Sequence, residues 1–397
     1  MIRTLTLKLN RGWNREGDGI DSRAGALADG PAPARAALMA FGLLALLAAL
    51  LPAAALAGDV IVVQTTIQAA VDAASPGDTV LVPPGTYRES VLVDKSEITI
   101  RGSHGAVIDA EGFDNGITVG TGSFSTGPDG FPVCPALALH DVTVLGLTVK
   151  NAEENGLLLL GVDGFRVSGG KYLDNEEYGI FPICSRNGLI NFNRVEGTED
   201  AGIYVGDDDA ITVAWNHVTR CTIGIEIENS SDVVVRDNKA VGNTTGILVV
   251  VLPGLPKPFT EDVLIVRNVV ARNNFPNPVP ADSGEPEGLL PTGTGILNIG
   301  GDRVVIRHNL VNRNDSLGVA IFANPFAALD PRLEPNPDGN EVRGNVILHN
   351  GQSPDPERAQ TPGADIVYDG TGAGNCFAKN RFKTEFPEGI TGLFPCS

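Results

Sequence analysis

Positive charge is scarce in this 397-residue sequence. It has 29 Lys and Arg against 48 Asp and Glu, which gives a formal net charge of −19 at pH 7. A protein that binds nucleic acid needs a basic face to neutralise phosphates, so this balance argues against a nucleic-acid partner. The hydrophobic fraction of 42% is large enough for a core and excludes wholesale disorder.

Cysteine is scarce, and helical periodicity is nearly absent. The five Cys include no Cys-x-x-Cys pair and no Cys/His cluster, so a structural zinc site is not expected. After residue 75 no segment sustains the 3.6-residue apolar period of a helix. Gly and Pro are abundant instead, 48 and 27 residues, or about 19% of the chain against an ordinary sum of roughly 12%. The composition therefore predicts a turn-rich protein with few helices.

The longest apolar run, residues 36–57, has the pattern of an export signal. It follows Arg35 and ends in Ala-Leu-Ala, a small-x-small cleavage pattern. We predict that residues 1–57 are an N-terminal extension with a signal peptide, and that the mature chain is periplasmic or secreted. A permanent membrane anchor is the alternative for this run. No later apolar segment is long enough to span a bilayer.

Export makes disulfides possible for the five cysteines. Cys376 and Cys396 lie near the C-terminus and are expected to clip the tail. Cys134 lies in a Gly/Pro-rich insert and is expected to reach Cys184. Cys221 is left over and is predicted to be a buried free thiol.

A repeat of 22–23 residues runs along the chain from about residue 141. A Gly followed by an aliphatic residue marks each copy: Gly156, Gly179, Gly202, Gly224, Gly246, Gly295 and Gly318. The single long gap, 49 residues, equals one repeat plus an insertion of about 26. An Asn is the second marker: Asn193, Asn216, Asn238, Asn268, Asn309 and Asn345. Five residues after each Asn comes another Asn or small residue, such as Asn243 or Cys221.

These markers predict a solenoid of stacked strands. Runs such as ITVAWN and VVIRHN alternate apolar and polar residues, as half-buried strands do. Such a repeat buries a core only when copies stack, so each is expected to form one coil of a parallel β-helix. Stacked Asn side chains would form a hydrogen-bonded ladder, and Gly would supply left-handed backbone at another bend. A β-sandwich is the alternative, but it does not explain two markers held in phase.

The start of the mature chain carries a family resemblance. The segment TIQAAVDAASPGDTVLVPPGTY contains a short helical pattern over residues 67–74, suited to cap the first coil. This segment and the N-x-V…N-x-x-GI repeats resemble the pectin-lyase-like, right-handed parallel β-helix superfamily over about residues 60–350. The resemblance implies a right-handed, all-β solenoid with an N-terminal capping helix, and polysaccharide as the default ligand. It does not imply one chemistry, because such folds host many activities.

The domain expected for this fold is residues 58–397. Residues 58–110 would be the N-terminal cap and first coil, and residues 351–397 the C-terminal cap. Three motifs of characterised relatives are missing: DPHD, Gly-His-Gly and Arg-Ile-Lys. The resemblance therefore transfers a fold and a ligand class but no catalytic residues.

Candidate site residues follow from the alternation of side chains along each repeat strand. If the residue after each repeat Gly faces inward, the next faces outward. The outward column is then Leu158, Phe181, Tyr204, Glu226, Leu248, Leu297 and Ala320. Glu228 lies two residues beyond Glu226, and Asp207-Asp208-Asp209 occupy a bend on the same face. Insertions on one face of a solenoid usually build its binding side.

Loops 251–261, 274–292 and 323–338 are expected to wall a groove over this column. Within it, Asp207 and Asp208 are candidate Ca²⁺ ligands, because Ca²⁺ takes six to eight oxygen atoms. Glu226 and Glu228 could join that site as further ligands.

Alternatively, Asp207, Asp208 and Glu226 provide the acid and base of glycoside cleavage. The simplest alternative is that the Asp residues only form the bend. Phe181 and Tyr204 are candidates to stack on sugar rings, or else ordinary surface side chains.

Five residues are thus expected to contact substrate: Phe181, Tyr204, Glu228, Lys257 and Arg332. Lys257 and Arg332 are the candidate bases for a calcium-dependent uronate lyase. The sequence leaves two functions open. The first is an exported protein that binds or processes polysaccharide, as a lyase or hydrolase if it is an enzyme. The second is a non-catalytic periplasmic scaffold or metal-delivery accessory protein.

Overall fold

The computed structural model describes residues 58–396. The expected signal segment, residues 1–57, lies outside the described residues. Within the described part, the chain winds through three long parallel sheets. We found no helix between residues 58 and 396 that is both long enough and apolar enough to cross a membrane.

A complete coil contributes one strand to each of three sheets, which are named sheet A, sheet B and sheet C in chain order. Sheet A has twelve strands: Val60–Val62, Thr79–Val82, Thr99–Gly102, Leu139–Leu145, Val162–Ser168, Arg186–Asn191, Thr212–Ala214, Val234–Arg236, Leu264–Val266, Val305–Arg307, Glu341–Arg343 and Cys376–Ala378. Sheet B has ten: Gly85–Tyr87, Ala106–Asp109, Thr148–Lys150, Lys171–Leu173, Arg194–Glu196, His217–Thr219, Lys239–Val241, Val269–Ala271, Leu310–Asn312 and Val346–Leu348. Sheet C has eleven: Val91–Val93, Asn115–Val119, Asn155–Leu160, Tyr178–Ile183, Ala201–Gly206, Ile223–Glu228, Thr245–Val250, Thr294–Ile299, Leu317–Phe322, Ala364–Tyr368 and Glu385–Phe386.

Few described residues lie in other elements. A two-stranded antiparallel ribbon pairs Ser125–Thr126 with Pro132–Val133. Two short 3₁₀ helices and two α-helices complete the described elements: Pro286–Leu289, Ala327–Leu329, Ile67–Ala73 and Ile390–Leu393. The predicted all-β, right-handed parallel β-helix is thus confirmed.

The interior of the solenoid is filled by aliphatic side chains in register. In sheet C the residue after each repeat Gly faces inward, as the alternation predicts, and is fully buried: Leu157, Ile180, Ile203, Ile225, Ile247, Ile296 and Val319. Consecutive members are strand partners, such as Ile203 with Ile225. Sheets A and B contribute Val and Ile to the same core. Burial of these stacked residues is the main apolar driving force for the fold.

The repeat glycines serve a different purpose from the one predicted. None of them has a positive φ, so the expectation of left-handed backbone at these positions is wrong. They lie at the starts of sheet C strands, where the chain passes close to sheet B. A Cβ on Gly202 would lie 2.4 Å from Val218 Cγ1, and one on Gly179 would lie 2.3 Å from Val195 Cγ1. Gly is required there because any side chain would clash with the core.

Two Asn ladders run inside the solenoid along its bends. In the first, between sheets A and B, Asn216 donates its backbone N–H to Asn238 Oδ1 at 2.8 Å. Its side-chain Nδ2 donates to Asn238 Oδ1 at 3.1 Å and to Ile190 O at 2.9 Å. The second ladder, between sheets B and C, links Asn243, Asn273 and other residues in the same way. Cys221 occupies a place in this second ladder and is a buried free thiol, as predicted.

Both ends of the stack are closed by the chain itself. The N-terminal helix Ile67–Ala73 begins after the N-cap Thr66 and buries Ile67 and Val71 against the first coil. At the other end, the tail continues the sheets, and the disulfide Cys376–Cys396 holds it. The second disulfide links Cys134 in the insert to Cys184. Both pairings are those expected from the sequence.

Replacing one Asn of the first ladder should destabilise the whole solenoid. Asn238→Ala leaves the buried backbone N–H of Asn216 without its acceptor, and it removes one of the two acceptors of Asn216 Nδ2. We expect the free energy of unfolding to fall by about 1–3 kcal/mol in denaturant titrations. Lys239→Ala, an exposed change at the next residue, should alter it by less than about 0.5 kcal/mol. Equal effects of the two changes would contradict a stabilising role for the ladder.

Candidate functional site

The outward column of sheet C aligns as the repeat predicts. Tyr204 is the strand partner of Glu226, and Gly206 is the partner of Glu228. The rings of Phe181 and Tyr204 meet edge to face, with centroids 4.7 Å apart. The structure therefore brings the aromatic and carboxyl candidates together on adjacent coils.

The column is covered rather than open. Tyr204 and Glu226 are each only 5% exposed. The three loops predicted to wall a groove fold back over the strands and cover most of the column. The loop side chains that pack on the column are Leu252, Leu255, Leu290 and Phe326. The predicted loops do wall a space over this strand, but it is a cavity rather than a groove along the whole column, because the outward face carries Leu248 and Leu297, whose burial draws the loops onto it.

Asp207 and Asp208 lie at the bend after the sheet C strand, and both are buried. Asp208 fills an interior ladder position between Ser185 and Ser230. Its Oδ1 accepts the Ser185 backbone N–H at 2.5 Å, and its own N–H donates to Ser230 Oγ at 3.0 Å. Asp207 Oδ1 accepts the backbone N–H of Lys257 at 2.8 Å. Neither carboxyl reaches the open face, so the expected catalytic positions need correction.

The three aspartates of the bend titrate differently. Burial raises the pKa of Asp207 to about 7, although the N–H and charge of Lys257 act in the opposite direction. Burial raises the pKa of Asp208 well above its usual value. Burial opposes ionisation of Asp209 as well, but hydrogen bonds from Lys257 and Ser231 outweigh it and lower its pKa. Asp209, the one of the three whose pKa is lowered, pairs with Lys257 at 2.7 Å.

Lys257 and Arg332 hold the covering loops in place. Besides the ion pair with Asp209, the Lys257 Nζ donates to the Asp208 carbonyl at 2.7 Å. Arg332 pairs with Asp330 at 2.7 Å and donates to Leu255 O at 2.8 Å. Neither side chain is positioned as a free catalytic base. The structure assigns them an anchoring role instead of the predicted substrate contact.

The bend does not fit the expected calcium site. A bound cation would lie against the Lys257 ammonium, which already contacts Asp208 and Asp209. Among residues 58–396 no group of three or more Asp, Glu, His or Cys side chains is placed to hold a metal ion. Calcium binding at Asp207 and Asp208 stays a prediction that this arrangement does not favour.

Glu226 and Glu228 form a buried carboxyl pair. They face outward from one sheet C strand, and Tyr204 Oη donates to Glu228 Oε1 at 2.7 Å. Burial raises the pKa of Glu226, and the nearby Glu228 charge raises it further. Burial also raises the pKa of Glu228, although hydrogen bonds from Tyr204 and Glu226 oppose the increase. Burial and mutual repulsion thus raise both pKa values, that of Glu228 to about 8, so the coupled pair keeps at least one proton at neutral pH.

Glu226 also lines a cavity of about 390 Å³ between sheet C and the covering loops. The walls are mostly apolar, with Leu248, Leu297 and Phe326 among them. The polar groups that line it are Glu226, Glu287, Arg358, Gln360, Thr361 and Asp369. A cavity of this size, apolar with a few convergent polar groups, has the form of a small-molecule or ligand-end site.

Sequence reasoning missed Glu287, Arg358 and Asp369. Glu287 lies on the 3₁₀ helix Pro286–Leu289, and Arg358 lies in the segment before the Ala364–Tyr368 strand. Arg358 donates to the carbonyls of Gly288 at 2.9 Å and Val279 at 3.1 Å, which ties two insertions together. These residues stand outside the repeat. The one sequence feature that could have indicated them is that they are charged residues within insertions on the sheet C side.

The coils, ladders and sheets define the class of this chain as a right-handed parallel β-helix. Residues 91–252 match the family described as "Right handed beta helix region". The resemblance to the pectin-lyase-like superfamily is thereby confirmed at the level of fold. No match was found among the curated proteins.

Solved structures with this fold include two kinds of enzyme. The A-module of mannuronan C-5 epimerase AlgE4 from Azotobacter vinelandii is similar with a TM-score of 0.55 and 16% identity, over 81% of this chain and 93% of that one. DFA-IIIase from Arthrobacter chlorophenolicus A6 is similar with a TM-score of 0.51 and 15% identity, over 83% and 96% of the two chains. At these identities the likeness establishes the fold alone.

The carboxyl pair should make stability depend on pH. The folded-state pKa values of Glu226 and Glu228 lie above those of the unfolded chain, so their contribution is full below about pH 4. It is lost as the pH rises through the folded values, because the unfolded chain then releases protons more readily. Glu226→Gln keeps a hydrogen-bond donor and removes one titration.

We expect the stability of Glu226→Gln relative to the unchanged protein to increase by at least about 1 kcal/mol between pH 5 and pH 8. Urea titrations across that range measure the difference. Glu341→Gln, at a partly exposed ion pair, should follow the unchanged protein. A constant offset between Glu226→Gln and the unchanged protein would exclude a coupled pair that keeps a proton at neutral pH.

Proposed function

We propose that this chain processes an extracellular polysaccharide by hydrolysing a glycosidic bond in the sheet C cavity. The observation that carries the proposal is the position of buried Glu226 at the wall of that cavity, on the same strand as Glu228. Burial and the Glu228 charge raise the pKa of Glu226. Two disulfides suit an exported protein, since such bonds persist in oxidising compartments.

Glu226 has the properties of a general acid. A carboxyl group whose pKa is raised by burial keeps its proton near neutral pH and can give it to a leaving oxygen. The apolar surroundings also strengthen the electrostatic interactions of the site. Glu228, fixed by the Tyr204 hydroxyl, keeps the proton on Glu226 until substrate takes it.

Glu287 is the candidate for the second carboxylate. It lines the same cavity from the covering loop, and its charge is close enough to contribute to the raised pKa of Glu226. In the proposed step, a water oxygen bonds to the anomeric carbon and gives a proton to Glu287. The bond from that carbon to the glycosidic oxygen breaks, and the oxygen takes the proton of Glu226. Paired carboxyls of this kind are the usual apparatus of glycoside hydrolysis.

The geometry favours hydrolysis over elimination by a lyase. A lyase needs a base to remove a proton from carbon, and the predicted bases were Lys257 and Arg332. Both are engaged in anchoring the loops. The acid, in contrast, is already protonated in the cavity.

The structural neighbours support a carbohydrate substrate. One is named for its action on mannuronan, and a DFA-IIIase structure is described as a complex with GF2. The mostly apolar wall supports a second candidate, a binding protein that retains a ligand without turnover. This binding function would use the same cavity as the proposed hydrolase but would not cleave the ligand.

Removal of the acid should abolish turnover. The full chain is incubated with acidic and neutral polysaccharides and with fructans, and new reducing ends are measured. On a cleaved substrate, Glu226→Gln should lower the rate by about 10²–10⁴-fold, the usual contribution of general acid catalysis. Glu287→Gln should produce a comparable loss.

Glu388→Gln, an exposed change near the C-terminus, should keep the full rate and serves as the matched control. If no glycan yields reducing ends while one binds in the cavity, the binding function replaces the hydrolase. If Glu226→Gln cleaves the substrate at the full rate, another residue must act as the general acid.

A further inference from the structure

A stacked aromatic pair lies on the outside of the solenoid, at the bend between sheets A and B. Phe192 and Trp215 are 57% and 42% exposed, although both are large and apolar. Their rings are parallel within 4°, with centroids 5.1 Å apart. The guanidinium of Arg236 lies over the indole ring, 3.9 Å from its centroid. The result is a rigid stack that spans three coils.

The outer face of the Phe192 ring is open. The preceding two coils have Gly169 and Gly146 at the equivalent bend, so these positions place no side chain over that face. Even a Cβ placed on Gly169 would find no atom within 4 Å. The flat, exposed ring face is therefore available to a planar or ring-shaped partner.

Core packing does not explain the two rings. Phe192 and Trp215 have φ values of 57° and 55°, a left-handed conformation that bulky side chains rarely adopt. Neighbouring coils place Gly, Asp or Arg there, so the fold itself does not require an aromatic residue. Exposed aromatic side chains at a strained position are typical of a binding surface.

A row of basic side chains follows the bend along sheet B. The strand partners Lys171, Arg194, His217 and Lys239 are exposed and belong to four successive coils. Adjacent strands lie about 4.8 Å apart, which sets the spacing of their Cα atoms. Each basic residue comes two positions after the bend residue of its coil, so the row and the aromatic stack share one edge.

The two lysines of this row are uncompensated. Within the described part of the chain, Lys171 and Lys239 form no ion pair, whereas Arg194 pairs with Glu196 at 2.5 Å. Desolvation lowers the pKa of His217, and the charges of Arg194 and Lys239 lower it further, so His217 is neutral at pH 7 and contributes hydrogen bonding rather than charge. A positive row is notable in a chain with a net charge of −19.

We propose that this aromatic and basic strip binds an acidic polysaccharide chain. The strip consists of Lys171, Phe192, Arg194, Trp215, His217 and Lys239. A sugar ring stacks on Phe192, and carboxylates along the polymer meet the basic row. Repeated charges on a polymer match charges repeated at the coil spacing. The strip thus supplies local attraction where the overall charge would repel an acidic polymer.

The strip lies at the bend between sheets A and B, whereas the cavity lies on sheet C. The proposed function of the strip is therefore to hold a polymer chain, whether or not that chain also reaches the cavity. The inference does not depend on turnover.

Binding is measured by isothermal titration of the full chain carrying Glu226→Gln, so that any cleavage is suppressed. The probe is a set of oligogalacturonates, at low and at high salt. We expect binding that weakens as the salt concentration rises. The double variant Phe192→Asn with Trp215→Asn should weaken it by about tenfold or more, which corresponds to the loss of one favourable contact. Lys171→Gln with Lys239→Gln should weaken it by a similar factor.

Asn tolerates the left-handed backbone, so the aromatic double variant should fold with an unchanged or higher midpoint of thermal unfolding. The matched control is Arg186→Gln with Arg303→Gln, which changes the net charge equally at residues paired with acids. It should leave the affinity unchanged.

Three results would overturn the proposal: equal weakening by the control, equal affinity for a neutral glucan, or tighter binding of a single-stranded oligonucleotide. None of these affects the cleavage measurement, so failure of the strip and failure of the cavity mechanism are distinguishable.

Discussion

Hydrogen bonding between successive coils is the constraint on which the rest of this structure depends. In the three long sheets each strand pairs in parallel with its counterpart one coil away, so residues 22 or 23 positions apart become direct neighbours where no insertion intervenes. The interior Asn ladders reinforce the same register, because each amide satisfies a backbone donor of the preceding coil. A one-residue slip would expose the core face and leave those donors unpaired. Both candidate sites, the carboxyl pair and the basic row, exist only because this register holds.

The interior accepts polar residues wherever the ladder supplies partners. Asn, Ser and Cys fill ladder places in successive coils, and Asp208 fills one between two serines. This explains why Asp208, which was predicted to be catalytic, instead has a structural role inside the solenoid. Its pKa rises because burial disfavours charge, and its backbone carbonyl helps to fix Lys257 and the covering loop. Charge in this bend thus stabilises the wall of the cavity.

The two outer surfaces illustrate different uses of the same scaffold. On sheet C, apolar outward residues attract long insertions, and burial under them lowers the local dielectric around Glu226 and Glu228. That desolvation is what keeps a proton on a glutamic acid near neutral pH. At the bend between sheets A and B no insertion covers the chain, so aromatic and basic side chains remain exposed. One face is suited to chemistry, and the other to holding an extended polymer.

From the amino-acid pattern alone, the solenoid, the Asn ladders, the capping helix, the buried Cys221 and the alignment of Tyr204 with Glu226 could be predicted, because each is a consequence of local periodicity. The role of the repeat Gly could not be predicted in this way. A Cβ added to Gly202 would clash with Val218, which lies on a different strand. The cover over sheet C could not be predicted either, because it depends on how non-repeating loops pack. Glu287 and Arg358 reach the cavity through those loops, and only tertiary packing decides where a segment without periodicity lies.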